Sequence, residues 1–405
     1  MVRAMNSEKR KVVVLCGDGM GDEPAAALGG KTPLQAADVP EVRAIAGRGR
    51  QLLIQTVPDG MAPGSDVANL GLLGYDARTN YTGRAAIEAV GSGVELAPDE
   101  VAYRTNLVTI EDGKMLDYSC GEISTPEGIE LLHALDAAAR ADGVKFHDGV
   151  SYRHLLTLRD GPTGLTLWPA HEITNRPIAE HLPAGEGAER LLRLMDLSRE
   201  VFANHPVNAA RAAAGKRTAT QIWPWGCGKA MRLEKYGAKF GRRGSVITAV
   251  NLVRGLARLA GLEIREVEGA TGWVDTNYAG KAAACLAALE AGDDFVYVHV
   301  EAPDECGHKM NPPLKTKAIE DFNAKIVRPV WRELEARGEP YRLVVCMDHR
   351  TPCTRGGHTA DPVPFAWLDG PIGGTPLDAR AAFDEFVPGE KPLPLAFEVM
   401  QGLLA

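Results

Sequence analysis

No apolar run approaches the roughly 20 residues that a membrane-spanning helix requires, so no such helix is expected. No basic tract is present either. The 405-residue chain carries 45 Lys+Arg against 53 Asp+Glu, a formal net charge of −8, which argues against a nucleic-acid surface. The seven cysteines are scattered without a CxxC pair. Cys16 and Cys346 lie in or just behind apolar runs, and read as buried thiols of a reducing cytosol. The basic N-terminus MVRAMNSEKRK precedes only about five apolar residues, short of the ~7–15 of a secretory segment, so a cytoplasmic protein is expected. Internal repeats and low-complexity stretches are missing. Two phosphate-binding signatures fail as well. GDGMGD does not match G-x-G-x-x-G. GCGKA has Trp223 where a Walker A motif needs Gly, and Ala230 where it needs Ser or Thr.

What is present points to a two-domain α/β enzyme. The length is more than one core usually serves, and 45% hydrophobic content is ordinary for a globular chain. Three short apolar runs each lead to a carboxylate: VVVLC before Asp18, YVHV before Asp304, and LVVCM before Asp348. Such runs read as strands buried on both faces. A residue just past the carboxyl end of such a strand lies where an open α/β sheet places its ligands.

The order of elements suggests an insertion. Strand, glycine-rich turn, a helix near Pro33–Gly47 and the strand QLLIQTVPDG lead to the APGS loop. There Ser65 follows Pro63-Gly64 and precedes VANLGLLG, a turn-to-helix junction whose amides and dipole favour an anion. From about Asn80 to Arg242 the strand-like runs VAYRTNLVTI, YRHLLTLRD and GLTLWPA are interspersed with helical ones. The chain then returns to an alternating pattern. It runs through an amphipathic helix over SVITAVNLVRGLARLAG, the strand FVYVHVEAP, a long helix LKTKAIEDFNAKIVRPVWRELEARG, and the strands LVVCMDH and PVPFAWLDG. The expected organisation is a discontinuous core domain, residues 1–79 with 243–405, and an inserted α+β domain, 80–242.

Seven residues stand out as one candidate centre: Asp18, Ser65, Asp304, His308, Asp348, His349 and His358. Singly, each reads as readily as a helix cap, a turn residue or a core side chain. Together they supply three carboxylates, three imidazoles and a hydroxyl, a donor set suited to Mn²⁺, Mg²⁺ or Zn²⁺. With two divalent ions such a centre carries a net +1 before the serine ionises. It would attract a phosphate dianion and activate the Ser65 hydroxyl.

These segments carry a resemblance. CGDGMGD, LGGKTPLQAA, APGSDVANLGLLGYD, YTGRAAIEA, YRTNLVTI, SYRHLL, WPWGCGKA, MDHRTPC and GGHTADPVPF together resemble the archaeal-type cofactor-independent (2,3-bisphosphoglycerate-independent) phosphoglycerate mutases of the alkaline phosphatase superfamily. The resemblance implies an alkaline-phosphatase-like core with a central, mostly parallel sheet flanked by helices, and an inserted transferase domain. It implies that Asp18, Ser65, Asp348 and His349 hold one metal ion and Asp304, His308 and His358 the other, with Mn²⁺, Mg²⁺, Co²⁺ or Zn²⁺ as candidates. Ser65 would carry the phosphoryl group in transit between 3-phosphoglycerate and 2-phosphoglycerate, in glycolysis or gluconeogenesis. Closure of the inserted domain would keep water out. Arg104, Arg153 and Lys229, with Arg84, would grip the substrate. His154 and His171 are further candidates, although this chain reads PAHEI where the family usually reads PHDI. Three alternatives stay open: a metal-dependent phosphomonoesterase, a homoserine kinase-like phosphotransferase, and a non-catalytic metal-binding protein.

Overall fold

The computed structural model describes residues 10–139, 143–373, 381–389 and 391–405. It divides into two compact units, residues 1–81 with 233–405, and residues 82–232. The chain enters the first unit through β1 (Lys11–Gly17) and β2 (Arg50–Ile54). It builds β3 (Glu100–Glu111), β4 (Lys114–Asp117), β5 (Val144–Val150), β6 (Arg153–Arg159) and β7 (Gln221–Lys229) in the second. It returns for β8 (Gly244–Ile247), β9 (Glu263–Ile264), β10 (Phe295–Val300), β11 (Tyr341–Cys346) and β12 (Val363–Gly370).

Among the described residues, the first unit holds a seven-stranded sheet in the order β2-β12-β11-β1-β10-β8-β9. The pairs β1–β10, β1–β11, β10–β8 and β8–β9 are parallel. Only β12 runs against its neighbours. This is the mostly parallel α/β sheet expected from the sequence. Every residue from Val12 to Cys16 and from Phe295 to Val300 is fully buried, as strands covered on both faces must be. The centre of the sheet fixes the site. Cys16 pairs with His299 on one side and with Cys346 on the other. The residues that follow these three positions therefore emerge together at one edge.

The second unit is antiparallel. The long β3 pairs with β4, β6 and β7, and β5 pairs with β6. The helices Thr125–Ala138 and Glu189–Ala203 pack their apolar faces, Leu131, Leu132, Leu135, Leu191 and Phe202 among them, into the core of this unit.

Three local expectations are corrected. The helix near Pro33–Gly47 is two helices, Pro33–Ala36 and Pro40–Arg48. Pro40 keeps the preceding Val39 out of the helical region, at φ −127° and ψ 61°, and Thr32 caps the first piece with a capping box to Gln35. The segment SVITAVNLVRGLARLAG is a strand followed by a helix, β8 and Asn251–Ala260. Its β-branched start ladders onto β10, so tertiary pairing overrides the amphipathic period. GLTLWPA forms no strand. Its Thr166 makes only an isolated bridge to Ala184.

Among the described residues no helix is long and apolar enough to cross a membrane.

Candidate functional site

The first unit gathers its polar residues at the carboxyl edge of β1, β10 and β11. Asp18 follows β1 directly, and its N–H bonds the Val300 carbonyl at the end of β10 at 2.9 Å. Asp348 follows β11 by two residues. Its Oδ1 accepts the N–H groups of Gly19 at 3.0 Å and His349 at 2.9 Å. Asp304 and His308 do not sit on the strand end itself. They lie four residues apart on the helix Ala302–His308 that follows β10, on one helix face. Gly19 makes this approach possible. Its φ is +58°, and a Cβ there would stand 2.4 Å from Asp304 Oδ1, so the position needs glycine on both counts.

Ser65 is the first residue of the helix Ser65–Leu72, and Gly64 is its N-cap. The Ser65 side chain is free of capping duty, and its Oγ lies 3.0 Å from His349 Nε2. Asn69, one turn on, ties this helix to the sheet. Its Nδ2 donates to the Ser65 carbonyl at 2.8 Å and to Asp348 Oδ2 at 2.9 Å, and its Oδ1 accepts from the Tyr297 hydroxyl at 2.6 Å.

Three overlapping groups each bring one ligand atom per residue within 4.8 Å of one another: Asp304, His308 and His358; Asp18, Asp304 and His349; and Asp18, His299 and Asp348. The hydrogen-bond network assigns the His349 tautomer. Thr351 donates its hydroxyl to Asp304 Oδ1 and lies 3.2 Å from His349 Nδ1. It therefore accepts Nδ1–H, which leaves the Nε2 lone pair facing Ser65 and the carboxylates. His308 is oriented the same way, with Nδ1 2.8 Å from the Gly356 carbonyl.

The electrostatics call for a cation. Burial, with Asp348 and Asp304 close by, drives the Asp18 carboxyl well above its ordinary range. Burial would also raise Asp304, but the His308 and His358 side chains outweigh it and hold that carboxyl well below the usual range. The Asp304 hydrogen bond in turn raises His308 to about 9, while burial lowers His349 and brings His299 down to about 4. The buried Asp18 Oδ1 has no hydrogen-bond partner. A buried carboxylate oxygen without a donor, among crowded acids and imidazoles, fits a divalent metal ion bound by hard oxygen and imidazole donors.

The second unit carries a separate cationic cluster. Arg84 starts the helix Arg84–Gly91 and pairs with Glu88, Nε to Oε1 2.8 Å. Arg104 on β3 pairs with the other oxygen of Glu88 at 2.8 Å, and its guanidinium stacks 3.9 Å over the Trp225 ring. This arrangement needs a close backbone approach. A Cβ on Gly83 would meet the Cys227 carbonyl at 2.0 Å, and one on Gly228 the Gly83 carbonyl at 2.7 Å. Burial pushes Arg104 down to about 10; Glu88 opposes the fall, and the nearby Arg84 and Arg153 add to it. The group stays charged at neutral pH. Arg84 and Arg104 share the carboxylate of Glu88, and Arg153 lies near enough to act on Arg104. These three guanidinium groups and one carboxylate leave a net +2 that suits an anion.

Arg153 lies at the start of β6, its guanidinium 4.8 Å over the Tyr152 ring. His171 is exposed and meets Trp225 and Tyr118 edge-on at 5.5 and 6.2 Å. His154 lies elsewhere, 3% exposed in the core of the unit, where burial takes it down to about 4. Lys229 ends β7 and is exposed, its carbonyl accepting the Thr82 hydroxyl at 2.7 Å. Sequence reasoning missed His299, Asn69, Thr351 and Glu88. A lone His inside the run FVYVHV gives no local signal, and each of the other three depends on a partner brought in by the fold: Asn69 on Tyr297 and Asp348, Thr351 on Asp304, and Glu88 on Arg104 of β3.

Comparisons with known proteins agree on the family. A family model described as 2,3-bisphosphoglycerate-independent phosphoglycerate mutase matches residues 46–208. A Geobacter sulfurreducens relative described as a probable 2,3-bisphosphoglycerate-independent phosphoglycerate mutase is 52% identical over 364 residues, 89% of this chain and 91% of its own. A Methanosarcina acetivorans relative, described as a 2,3-bisphosphoglycerate-independent phosphoglycerate mutase, is 46% identical over 357 residues, 88% of this chain and 90% of its own. A solved structure of a Pyrococcus horikoshii protein superposes with a TM-score of 0.79 at 27% identity, covering 98% of this chain and 97% of that one. With relatives this similar along nearly its whole length, the chain belongs to the family of 2,3-bisphosphoglycerate-independent phosphoglycerate mutases.

Proposed function

We propose that this chain interconverts 3-phosphoglycerate and 2-phosphoglycerate through a phosphoserine at Ser65. The observation that carries the reading is the placement of Ser65 Oγ, 3.0 Å from the unprotonated Nε2 of His349, at a helix start beside three carboxylates. Asp18, Ser65, Asp348 and His349 would hold one divalent ion, and Asp304, His308 and His358 the other. Two such ions, Mn²⁺ by preference, with Mg²⁺, Co²⁺ or Zn²⁺ as alternatives, supply Lewis acidity that lowers the serine pKa and offsets phosphoryl charge.

Ser65 Oγ attacks phosphorus as the ester bond to O3 of the substrate breaks, and O3 takes up a proton. Backbone N–H groups at the start of Ser65–Leu72 favour the anionic phosphoryl group. Arg104 and Arg153, with Arg84 and Lys229, hold the glycerate by its carboxylate. The O2 hydroxyl then attacks the phosphoserine as the P–Oγ bond breaks; O2 gives up a proton and Ser65 returns to its starting form, so no proton is consumed overall. A hydroxyl held in place has a high effective molarity compared with free water. The phosphoryl donor is the substrate itself, so no 2,3-bisphosphoglycerate need be added. The division of labour follows the two units, nucleophile and metal ligands in residues 1–81 with 233–405, and glycerate-binding arginines in 82–232. All seven cysteines are free thiols, which favours a reducing cytoplasm. The test is incubation of purified protein with 3-phosphoglycerate and Mn²⁺, with mass spectrometry of the Ser65 peptide. A phosphorylated Ser65 and formation of 2-phosphoglycerate are expected. Turnover with no modification of Ser65 would overturn the mechanism.

A further inference from the structure

His299 lies inside β10 and is fully buried, as is nearly all of Asp18, which it faces. Its Nε2 is 3.2 Å from Asp18 Oδ2. Its Nδ1 is 3.4 Å from Thr248 Oγ1. Thr248 Oγ1 accepts the Val250 N–H at 3.0 Å and still has its own hydrogen to donate to His299 Nδ1. With Nδ1 as acceptor the ring proton sits on Nε2, toward Asp18. The opposite tautomer would set a lone pair against a carboxylate oxygen. Among the described residues, Nε2 makes no hydrogen bond to any other group. The strand is pinned here as well. The His299 carbonyl accepts the buried Lys281 ammonium at 3.1 Å, and Asp18 N–H bonds the adjacent Val300 carbonyl at 2.9 Å.

We propose that His299 is a positioning residue for Asp18, donating Nε2–H to Oδ2 and presenting Oδ1, which no protein group satisfies, to a divalent cation. The inference rests on the metal reading above. It extends to an imidazole the rule that ligating carboxylates are themselves held by hydrogen bonds. The competing role is direct ligation, since Nε2 also lies within 4.8 Å of ligand atoms of Asp18 and Asp348.

The experiment titrates metal-stripped wild-type protein, His299→Leu, His299→Gln and Thr248→Val with Mn²⁺ by calorimetry, alongside thermal melts. It also records nitrogen couplings to bound Mn²⁺ by electron-nuclear double resonance. In His299→Leu, one of two sites should weaken by about 10–100-fold, the usual size of an outer hydrogen bond's effect on a metal, and the other should not change. His299→Gln, which keeps an N–H, should recover much of the loss. Thr248→Val should weaken the same site a few-fold, and it decides the matter if His299→Leu does not fold. Saturated His299→Leu should keep the wild-type nitrogen couplings. Unchanged affinity in His299→Leu and Thr248→Val overturns the proposal, and so does loss of one directly bound nitrogen, which would make Nε2 a ligand. A wild-type protein that binds no Mn²⁺ overturns the metal reading and this inference together. Mutase activity enters none of these outcomes, so failure of the proposed reaction leaves them distinct.

Discussion

Replacing Ser65 by alanine separates chemistry from stability. The structure limits the cost to the fold. Gly64, not Ser65, is the N-cap of Ser65–Leu72, and no side-chain cap is made, so the ~0.5–2 kcal/mol penalty for losing a cap does not apply. What is lost is one hydrogen bond of 3.0 Å to His349, worth about 1 kcal/mol net. The better helix propensity of alanine returns a few tenths. At about 2–4 °C per kcal/mol for domains of 150–250 residues, the melting temperature should fall by no more than ~4 °C. The chemical cost is far larger. Removing the nucleophile of a serine protease has cost about 10⁶ in kcat, or ~8 kcal/mol of transition-state stabilisation. The assay pairs enolase-coupled turnover of 3-phosphoglycerate with a thermal melt. Ser65→Ala should melt near wild type and show no turnover above background. A variant that melts normally and keeps more than a few per cent of activity would refute the nucleophile assignment.

Arg104→Lys and Arg153→Lys should keep wild-type metal content by elemental analysis. They should lose about 10–100-fold in kcat/KM, the equivalent of one to two charge-assisted contacts; loss of metal in either variant would contradict the division of labour between the units. Chelation should abolish turnover, and Mn²⁺ should restore it; full activity in protein shown to be metal-free would end the two-metal account. His308, raised to about 9 chiefly by Asp304, gives a signed pH dependence. Its protonated form stabilises the metal-free protein fully below the unfolded value of about 6.5. That contribution should disappear as pH rises toward about 9, as read by melting in chelator. Metal must displace this proton, so Mn²⁺ affinity should rise by up to about tenfold per pH unit across the same window; a flat profile would contradict His308 as a ligand.

Part of this site was legible because its signals are local. Asp18 and Asp348 end apolar runs, and the Pro63-Gly64-Ser65 turn announces a helix start. The runs themselves gave the central strands, since a strand buried on both faces needs no alternation. Other features depend on what meets in space. His299 looks like core until Asp18 is seen opposite it. Asn69 is one more polar residue in a helix until Tyr297, Ser65 and Asp348 converge on it. Glu88 becomes a clamp only when Gly83 and Gly228 let its helix close on β7. The misread elements have the same origin. β8 was absorbed into the amphipathic helix after it because only its pairing with β10 marks it as a strand. Thr166 lacks a neighbouring strand and stayed a bridge.

The central claim is that the phosphoryl group on Ser65 returns to the glycerate. It is tested most directly by the ratio of 2-phosphoglycerate to inorganic phosphate formed from 3-phosphoglycerate with Mn²⁺ and no added 2,3-bisphosphoglycerate. The account predicts 2-phosphoglycerate as the main product with little free phosphate. Inorganic phosphate as the main product would contradict it and make the chain a phosphatase.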